Sequence, residues 1–320
     1  MIRLTQRGIL SATLGGGAIG TLILAFTLYE HRAAQASPAA AAAAAATEEY
    51  GRRLITDTAA LLGPDHENPN MRYSGSRLAC TSCHLGAGTD PGTLSLLESA
   101  ALYPRYSGRD GGEQDLISRI NGCMTRSMNG RELPPDSAEM MAMVAWVESL
   151  GDRFGAMGKS LRTANEPPAF KRPERRADLV AGERVFMTHC AVCHGGDGLG
   201  LRASANPADG YVFPPLWGPD SFNNGAGMAR VLTAARFIKA RMPLGEATLS
   251  DDEAFDVAAY INAQPRPLMA NLERDYPKRA EKPIDSPYGP YADPFPQDQH
   301  RFGPFKPIEE YYQAQKVARQ

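Results

Sequence analysis

The sequence has no large excess of charge of either sign and few residues of the kinds that bind metal ions. Its 34 Lys and Arg against 36 Asp and Glu give a formal net charge of −2, so nothing indicates binding to nucleic acid. It contains only five cysteines and six histidines. A structural zinc site needs more thiol or imidazole ligands at matching spacing than remain outside the two motifs described below.

The N-terminus carries an export signal without the cysteine that lipid attachment requires. Arg3 and Arg7 precede an apolar run over residues 8–29, and the sequence Ala34-Gln-Ala36 fits a cleavage site. We therefore expect a periplasmic protein. Cleavage near Ala36 would make it soluble, whereas a retained segment 8–29, at about 20 residues, is long enough to tether it to the inner membrane.

Four of the five cysteines lie in two Cys-x-x-Cys-His motifs, and this pattern is typical of covalent c-type haem attachment. Each thiol forms a thioether with the haem, and the adjacent histidine becomes the proximal iron ligand. The sequence therefore predicts two haem c groups. The motif residues are Cys80, Cys83 and His84 for the first haem and Cys190, Cys193 and His194 for the second.

Cys123 is the cysteine that haem attachment leaves over. If its segment is helical, Arg119 and Ser127 lie four residues to either side on the same face, and Arg126 is three residues away. A thiolate among guanidinium groups near a haem can serve as an iron ligand and as part of an anion-binding site.

Position alone leaves two alternatives to this interpretation of Cys123. Most free cysteines are small buried hydrophobic residues. Met124 and Met128 are neighbouring side chains that compete for the same iron.

The chain on either side of the two motifs indicates an internal duplication. A sequence typical of a helix N-terminus follows each motif, at Asp136–Glu139 and at Ser250–Glu253. The helices that they begin are predicted to end at Gly151 and before Pro265. In the second half, Gly182 would let the entering helix approach this terminal helix closely. The order of entering helix, haem motif, irregular loop and terminal helix resembles the class I cytochrome c domain.

We expect a mainly α protein with two tandem class I cytochrome c-like domains and an extended C-terminal strap without regular structure. The loop that follows the first motif, over residues 86–112, is predicted to be irregular. The predicted segments are the signal or anchor at 1–36, an alanine-rich spacer at 37–47, the catalytic domain at 48–158, a proline-rich linker at 159–176, the electron-transfer domain at 177–265 and the strap at 266–320.

The second haem has two candidate distal ligands. Met242, followed by proline about fifty residues after His194, fits the methionine ligand of class I cytochromes. Lys239 lies one helical turn earlier and binds iron only after it loses its proton. We favour Met242 and interpret Lys239 as a solvated helix residue; a thioether ligand would favour the reduced haem and raise its potential.

Together these residues resemble the dihaem thiosulfate dehydrogenase family, which joins two thiosulfates into tetrathionate. The similarity extends from about residue 48 to the C-terminus. It rests on the first haem motif and on four further stretches: Ser107-Gly-Arg109-Asp-Gly, Arg119-Ile-Asn-Gly-Cys123-Met-Thr-Arg126-Ser127-Met-Asn-Gly, Met242-Pro-Leu-Gly and the tail from Asp275-Tyr-Pro to Pro304-Phe-Lys-Pro.

The resemblance implies roles for individual residues. His84 and Cys123 would be the axial ligands of the first, catalytic haem, and Arg109, Arg119 and Ser127 would line the substrate pocket. For the second haem the family implies methionine or lysine, so Met242 and Lys239 both remain open. The two released electrons would pass to a small periplasmic acceptor such as a cytochrome c.

The charge pattern agrees with a site for two dianions, which repel one another unless fixed positive charge offsets them. Between Arg105 and Arg131 there are five arginines and three carboxylates. A dihaem electron carrier without its own substrate is the first rival interpretation, and it leaves the arginines around Cys123 unexplained. The second is a sulfur-oxidising subunit that attaches thiosulfate to a carrier protein.

Overall fold

The computed structural model describes residues 38–157 and 165–317, with side chains described for residues 47–156 and 165–316. In the first half of the chain, two helices precede the first haem motif, a β-hairpin follows it, and two further helices complete the half. These elements are α1 (Pro38–Thr56), α2 (Thr58–Leu62), β1 (Arg105–Ser107), β2 (Gly112–Gln114), α3 (Leu116–Arg126) and α4 (Ala138–Met157).

The second half repeats this order, and the tail adds two helices. A π-helical turn, Phe186–Cys190, connects the entering helix to the second motif. The elements are α5 (Leu179–Val185), α6 (Ala191–His194), β3 (Leu201–Arg202), β4 (Tyr211–Phe213), α7 (Val231–Arg241), α8 (Asp251–Ala263), α9 (Gln297–Phe302) and α10 (Lys306–Val317).

In both halves the entering helix crosses the terminal helix at a glycine. A Cβ on Gly51 of α1 would lie 1.9 Å from the carbonyl oxygen of Ala142 and 2.9 Å from Cβ of Trp146. A Cβ on Gly182 of α5 would lie 2.1 Å from the carbonyl oxygen of Asp256 and 2.9 Å from Cβ of Tyr260. Since only glycine permits such contact, the matching crossings support the internal duplication and confirm the prediction for Gly182.

The N-termini of the two terminal helices differ in how closely they follow the prediction. At α8 the Ser250 hydroxyl accepts from the Glu253 N–H at 3.2 Å, and the Glu253 carboxylate accepts from the Ser250 N–H at 2.8 Å. This is the predicted capping box. At α4 the prediction was wrong by one residue, because the hydroxyl of Ser137 accepts from the N–H of Met140 at 3.2 Å.

The predicted end of α4 at Gly151 was also wrong, since the helix continues to Met157. Leu150 and Phe154 are buried on either side of the glycine. They pack with Ile55, Trp146 and Val147 in one apolar cluster. Burial of this apolar face stabilises the helix. This stabilisation is larger than the destabilisation caused by one glycine in a helix interior, which is about 1 kcal/mol.

The long loop after the first haem motif is less irregular than predicted. Strands β1 and β2 pair in antiparallel register, with Arg105 opposite Gln114 and Ser107 opposite Gly112. The turn between them carries Arg109, and Gly111 occupies a position with φ of +71°. The hairpin therefore presents a functional candidate at a defined turn.

The prediction that the tail lacks regular structure was wrong for its last third, which forms α9 and α10. Phe302, Phe305 and Ile308 are buried in the apolar core of the second domain. Pro307 lies in the first turn of α10, where the missing N–H of proline costs no helical hydrogen bond. From Gln264 to Pro296 the chain has neither α-helix nor strand and consists of bends, turns and the 3₁₀ turns Leu272–Arg274 and Arg279–Glu281. We call this stretch the strap segment.

Residues from Thr47 onward form one compact unit. Of the stretch before it, the structure describes helical backbone over 38–46, within the predicted spacer. The predicted signal lies outside the described residues. In the two ranges that the structure describes, the helices are too short or too polar to cross a bilayer.

Candidate functional site

The first haem motif is held by α2 on one side and by the loop that follows the motif on the other. The hydroxyl of Thr58 accepts from the N–H of Cys80 at 3.2 Å and lies 3.5 Å from its Sγ. The Nδ1–H of His84 donates to the carbonyl oxygen of Leu94 at 2.7 Å. Because a carbonyl only accepts, Nδ1 carries a proton, and Nε2 is the ring nitrogen that remains available to a metal, which it binds in its deprotonated form.

Cys123 lies in the last turn of α3, close to the imidazole of His84. The N-terminus of this helix is fixed by Asp115, whose carboxylate accepts from the N–H of Ser118 at 2.7 Å. The guanidinium of Arg119, one helical turn before Cys123, donates to its Sγ at 2.9 Å. The helical spacing predicted from the sequence thus produces a direct contact.

The pKa of the Cys123 thiol is lowered from its ordinary value of 9.0 to about 6. Burial of the thiol raises its pKa, but the positive charge of Arg119 and the hydrogen bond and charge of His84 outweigh burial. At the two attachment thiols, where no guanidinium donates, burial raises the pKa of Cys80 to about 11 and of Cys83 to about 12. Cys123 therefore favours the thiolate at neutral pH.

A cavity of about 910 Å³ brings the predicted residues of the first site together. Its size lies in the range of cofactor and small-molecule sites. The β-hairpin and the segment around α3 contribute its polar wall. The candidates that line it are Cys80, Cys83, His84, Arg109, Arg119, Cys123 and Ser127.

Two arginines of the predicted cluster do not supply unpaired charge to this cavity. Arg126 is buried and forms a bidentate pair with Asp275, with both N···O distances at 2.8 Å. Arg131 lies over the ring of Tyr73 at 3.8 Å and donates to two backbone carbonyls. The expectation that Arg126 flanks the thiolate is corrected, because its charge is used to hold the strap segment.

The competing methionines are both buried. Met124 is 1% exposed and packs in the apolar cluster with Leu54, Leu62 and Met140. Met128 belongs to the same cluster and also reaches the cavity wall. Of the three side chains, Cys123 alone has the guanidinium contact and the imidazole neighbour described above.

In the second half the motif histidine is held in the same way as in the first. The Nδ1–H of His194 donates to the carbonyl oxygen of Pro214 at 2.8 Å, and burial lowers the pKa of its ring. Met242 packs against the apolar core together with Cys190. The ammonium of Lys239 instead donates to the carbonyl oxygen of Leu249 at 2.6 Å and lies 3.8 Å from Asp251.

The donor set of the first site fits a haem c. All five cysteines are free thiols, and the two of the first motif line the cavity beside an imidazole whose Nδ1 is already fixed. The Cys123 sulfur interacts with that imidazole, so it would offer an anionic sulfur donor to a haem iron held there. The second motif offers two thiols and a buried imidazole with the same Nδ1 arrangement.

The strap segment contributes residues to this cavity that sequence reasoning did not assign. Met269, Tyr276 and Glu281 line it, together with Phe222 and Met228 of the second domain. Tyr276 belongs to Asp275-Tyr-Pro, one of the stretches on which the family resemblance rests. The local sequence does not indicate that this tyrosine, far along the chain from the first haem motif, lines the cavity of that motif.

Comparison with protein families finds a match in each half of the chain. Residues 72–153 match the SoxA/TsdA cytochrome c domain. Residues 177–261 match the family described as cytochrome C oxidase, cbb3-type, subunit III. Both halves are thus cytochrome c domains, as the repeated motif predicted, and such domains bind haem c covalently.

Several curated proteins and a solved structure are similar over most of the chain. "Thiosulfate dehydrogenase" of Allochromatium vinosum is 42% identical over 68% of this chain and 78% of that protein. The protein of the same name from Stutzerimonas stutzeri is 37% identical over 70% and 69%. The as-isolated form of thiosulfate dehydrogenase (TsdBA) from Marichromatium purpuratum has a TM-score of 0.64 and 30% identity. That match covers 82% of this chain and 52% of the solved one.

Proposed function

Because the chain belongs to the thiosulfate dehydrogenase family, we propose that it couples two thiosulfates to one tetrathionate and passes the two electrons to an external acceptor. The reaction is reversible in principle, and the same site would serve both directions. Two sulfane sulfurs form one S–S bond, and each thiosulfate gives up one electron, so charge and atoms balance.

One observation carries this proposal. A thiolate and two arginines line the same cavity, and the two arginines have no carboxylate partner among the described residues. Among the described residues, neither Arg109 nor Arg119 forms an ion pair with a carboxylate. Arg119 contacts Cys123, and Nε of Arg109 is buried without a hydrogen-bond partner. A half-buried guanidinium without a carboxylate partner favours a bound anion, and two such groups offset the repulsion between two thiosulfate dianions.

The residues divide into those that hold the cofactor and those that hold the substrate. Cys80 and Cys83 would attach a haem c whose axial ligands are His84 and Cys123, and such a haem supplies an iron that takes up one electron at a time. Arg109 and Arg119 would bind the sulfonate ends of thiosulfate through charge-assisted hydrogen bonds. Ser127, at the C-terminal end of α3, would donate its hydroxyl to the same anions.

A second haem c, attached through Cys190 and Cys193 with His194 as proximal ligand, would hold the other electron. We assign Met242 as its distal ligand. The support is that Met242 packs with Cys190 in one core, whereas the ammonium of Lys239 is engaged with a carbonyl and a carboxylate. A neutral thioether there would give the second haem the higher potential and would favour transfer of electrons away from the first site.

We also propose a periplasmic location, with a small cytochrome c or a similar protein as electron acceptor. The support is the export signal of residues 1–36, either cleaved near Ala36 or retained as a tether through 8–29. Covalent haem attachment is consistent with this compartment.

The test is to mix purified haem-loaded protein with thiosulfate and ferricyanide and to quantify both the reduced acceptor and the sulfur product. We expect one free tetrathionate for every two electrons accepted. Absence of ferricyanide reduction would instead indicate an electron carrier. Acceptor reduction without free tetrathionate, accompanied by a thiosulfonate on an added partner protein, would indicate the sulfur-oxidising subunit.

A further inference from the structure

The strap segment is seated on the turn of the β-hairpin that carries Arg109. The N–H of Tyr276 donates to the carbonyl oxygen of Arg109 at 2.7 Å. A Cβ on Gly111, at φ of +71°, would lie 2.7 Å from the ring of Pro277, so glycine is needed for the approach. The hydroxyl of Tyr106 donates to Glu281 at 2.7 Å a few residues further along the strap segment.

Tyr276 is held there in an unfavourable backbone conformation. Its φ is +58°, a left-handed region in which a bulky side chain is an outlier and the backbone is strained. The residue is nevertheless buried, and it lines the cavity with Arg109, Arg119 and Cys123. The surrounding contacts thus fix a phenol at the substrate cavity.

The carboxylate next to this tyrosine is already satisfied. Asp275 accepts both hydrogen bonds of Arg126 and a further one from the hydroxyl of Tyr288 at 2.6 Å. It therefore does not neutralise Arg109 directly. Burial of the Arg109 guanidinium lowers its pKa, but the adjacent Tyr276 hydroxyl, which accepts from it, and smaller contributions from Tyr288 and Asp275 raise this pKa above its ordinary value.

Arg119 is surrounded in a similar way. Its neighbours are the Cys123 sulfur and the hydroxyl of Tyr103. A carboxylate at either tyrosine position would pair with the guanidinium and cancel its charge. A phenol fixes the direction of the guanidinium and leaves its charge for a ligand.

We propose that Tyr276 is a positioning residue of the substrate site: its hydroxyl accepts from the Arg109 guanidinium and holds it toward thiosulfate without neutralising it. This inference rests on the proposed function, because it requires that Arg109 binds thiosulfate. It adds the strap segment to the machinery of the first site.

Tyr276→Phe in the haem-loaded protein removes the acceptor and keeps the ring and the backbone. We expect KM for thiosulfate to rise about three- to tenfold while kcat stays within about twofold, since Arg109 loses the hydrogen bond that holds its guanidinium toward thiosulfate. The matched control is Tyr291→Phe, which removes another strap-segment hydroxyl, bonded to the Ser286 carbonyl at 2.9 Å, outside the cavity. It should leave KM unchanged.

Equilibrium binding separates this role from a general loss of structure. Thiosulfate is titrated into fully reduced protein, whose haems accept no electrons, and binding is followed by the rise in Tm. Tyr276→Phe should weaken binding by the same factor as it raises KM. In an Arg109→Ala background the substitution should have no further effect, because its partner is already absent.

The outcomes distinguish the two levels of the proposal. If Arg109→Ala weakens thiosulfate binding at least tenfold and Tyr276→Phe leaves it unchanged, the positioning role is overturned and the proposed function stands. If Arg109→Ala leaves binding and turnover unchanged, the assignment of Arg109 to substrate fails as well. An equal effect of Tyr276→Phe with and without Arg109 would also overturn the positioning role.

Discussion

At the scale of single residues, three half-buried cysteines in one cavity differ because their neighbours differ. Burial raises the pKa of Cys80 and Cys83 to about 11 and 12, whereas Arg119 and His84 lower that of Cys123 to about 6 despite its burial. A guanidinium at hydrogen-bond distance thus turns the leftover thiol into an anion. This contrast supports the proposed division, in which Cys123 would bind iron as a thiolate and Cys80 and Cys83 would attach the haem.

The second haem gives a prediction at the same scale. Met242→Ala should abolish the near-infrared band of methionine-ligated ferric haem and lower that haem's potential, because a neutral ligand that favours ferrous iron is lost. Lys239→Ala is the control and should leave both unchanged, since its ammonium is engaged with Leu249. A changed spectrum in Lys239→Ala with an intact one in Met242→Ala would assign the lysine instead.

Residue-level prediction from the sequence worked where partners are local. Arg119 and Cys123 share a helix face at a spacing of four, so their contact follows from the helix alone. The pairing of Arg126 with Asp275 spans 149 positions, and the seat of Tyr276 at the cavity depends on the path of the strap segment. Neither can be read from helical periodicity.

At the scale of elements, the two glycine crossings give a prediction. Gly51→Ala and Gly182→Ala should each destabilise the protein by about 1–3 kcal/mol, because the new Cβ overlaps a backbone carbonyl on the terminal helix. Thermal unfolding of the haem-loaded variants measures this.

Gly155→Ala in α4 is the matched control, since nothing lies within 4 Å of its Cβ position. It should raise stability by about 0.5–1 kcal/mol, as expected for glycine replaced in a helix. Equal Tm values for all three variants would contradict the close crossings.

The start of a helix could be predicted from the sequence where a capping side chain marks it. The reciprocal bonds of Ser250 and Glu253 mark the start of α8 as expected. Gly151 did not end α4, because the buried Leu150 and Phe154 outweigh its low helix propensity. The helices of the tail were missed because prolines at 304 and 307 interrupt the periodicity, although one of them lies where a helix tolerates proline.

At the scale of the whole molecule, the strap segment and the tail connect the parts of the site. Asp275 joins α3 through Arg126, and Arg126 also donates to the carbonyl oxygen of Gly225 in the second domain at 3.3 Å. The tail beyond residue 297 packs into the second domain's core. The first site is therefore completed by residues from the second domain and from the strap segment.

The pair that anchors the strap segment gives the prediction at this scale. Arg126→Met leaves the Asp275 carboxylate buried without its partner and should destabilise the protein by about 3–5 kcal/mol. Arg53→Ala removes an exposed pair with Asp57, whose side chains are 53% and 48% exposed, and should have little effect. Urea unfolding measures both, and similar small losses in the two variants would show that the buried pair does not anchor the strap segment.

The most direct test of the central claim is the midpoint potential of each haem in Cys123→Met, measured with thiosulfate turnover on the same sample. A neutral thioether in place of the thiolate should raise the potential of the first haem, leave the second haem as an unshifted internal control, and abolish coupling although both haems are loaded. Normal turnover with an unshifted first potential would contradict the account and identify Cys123 as a packing residue.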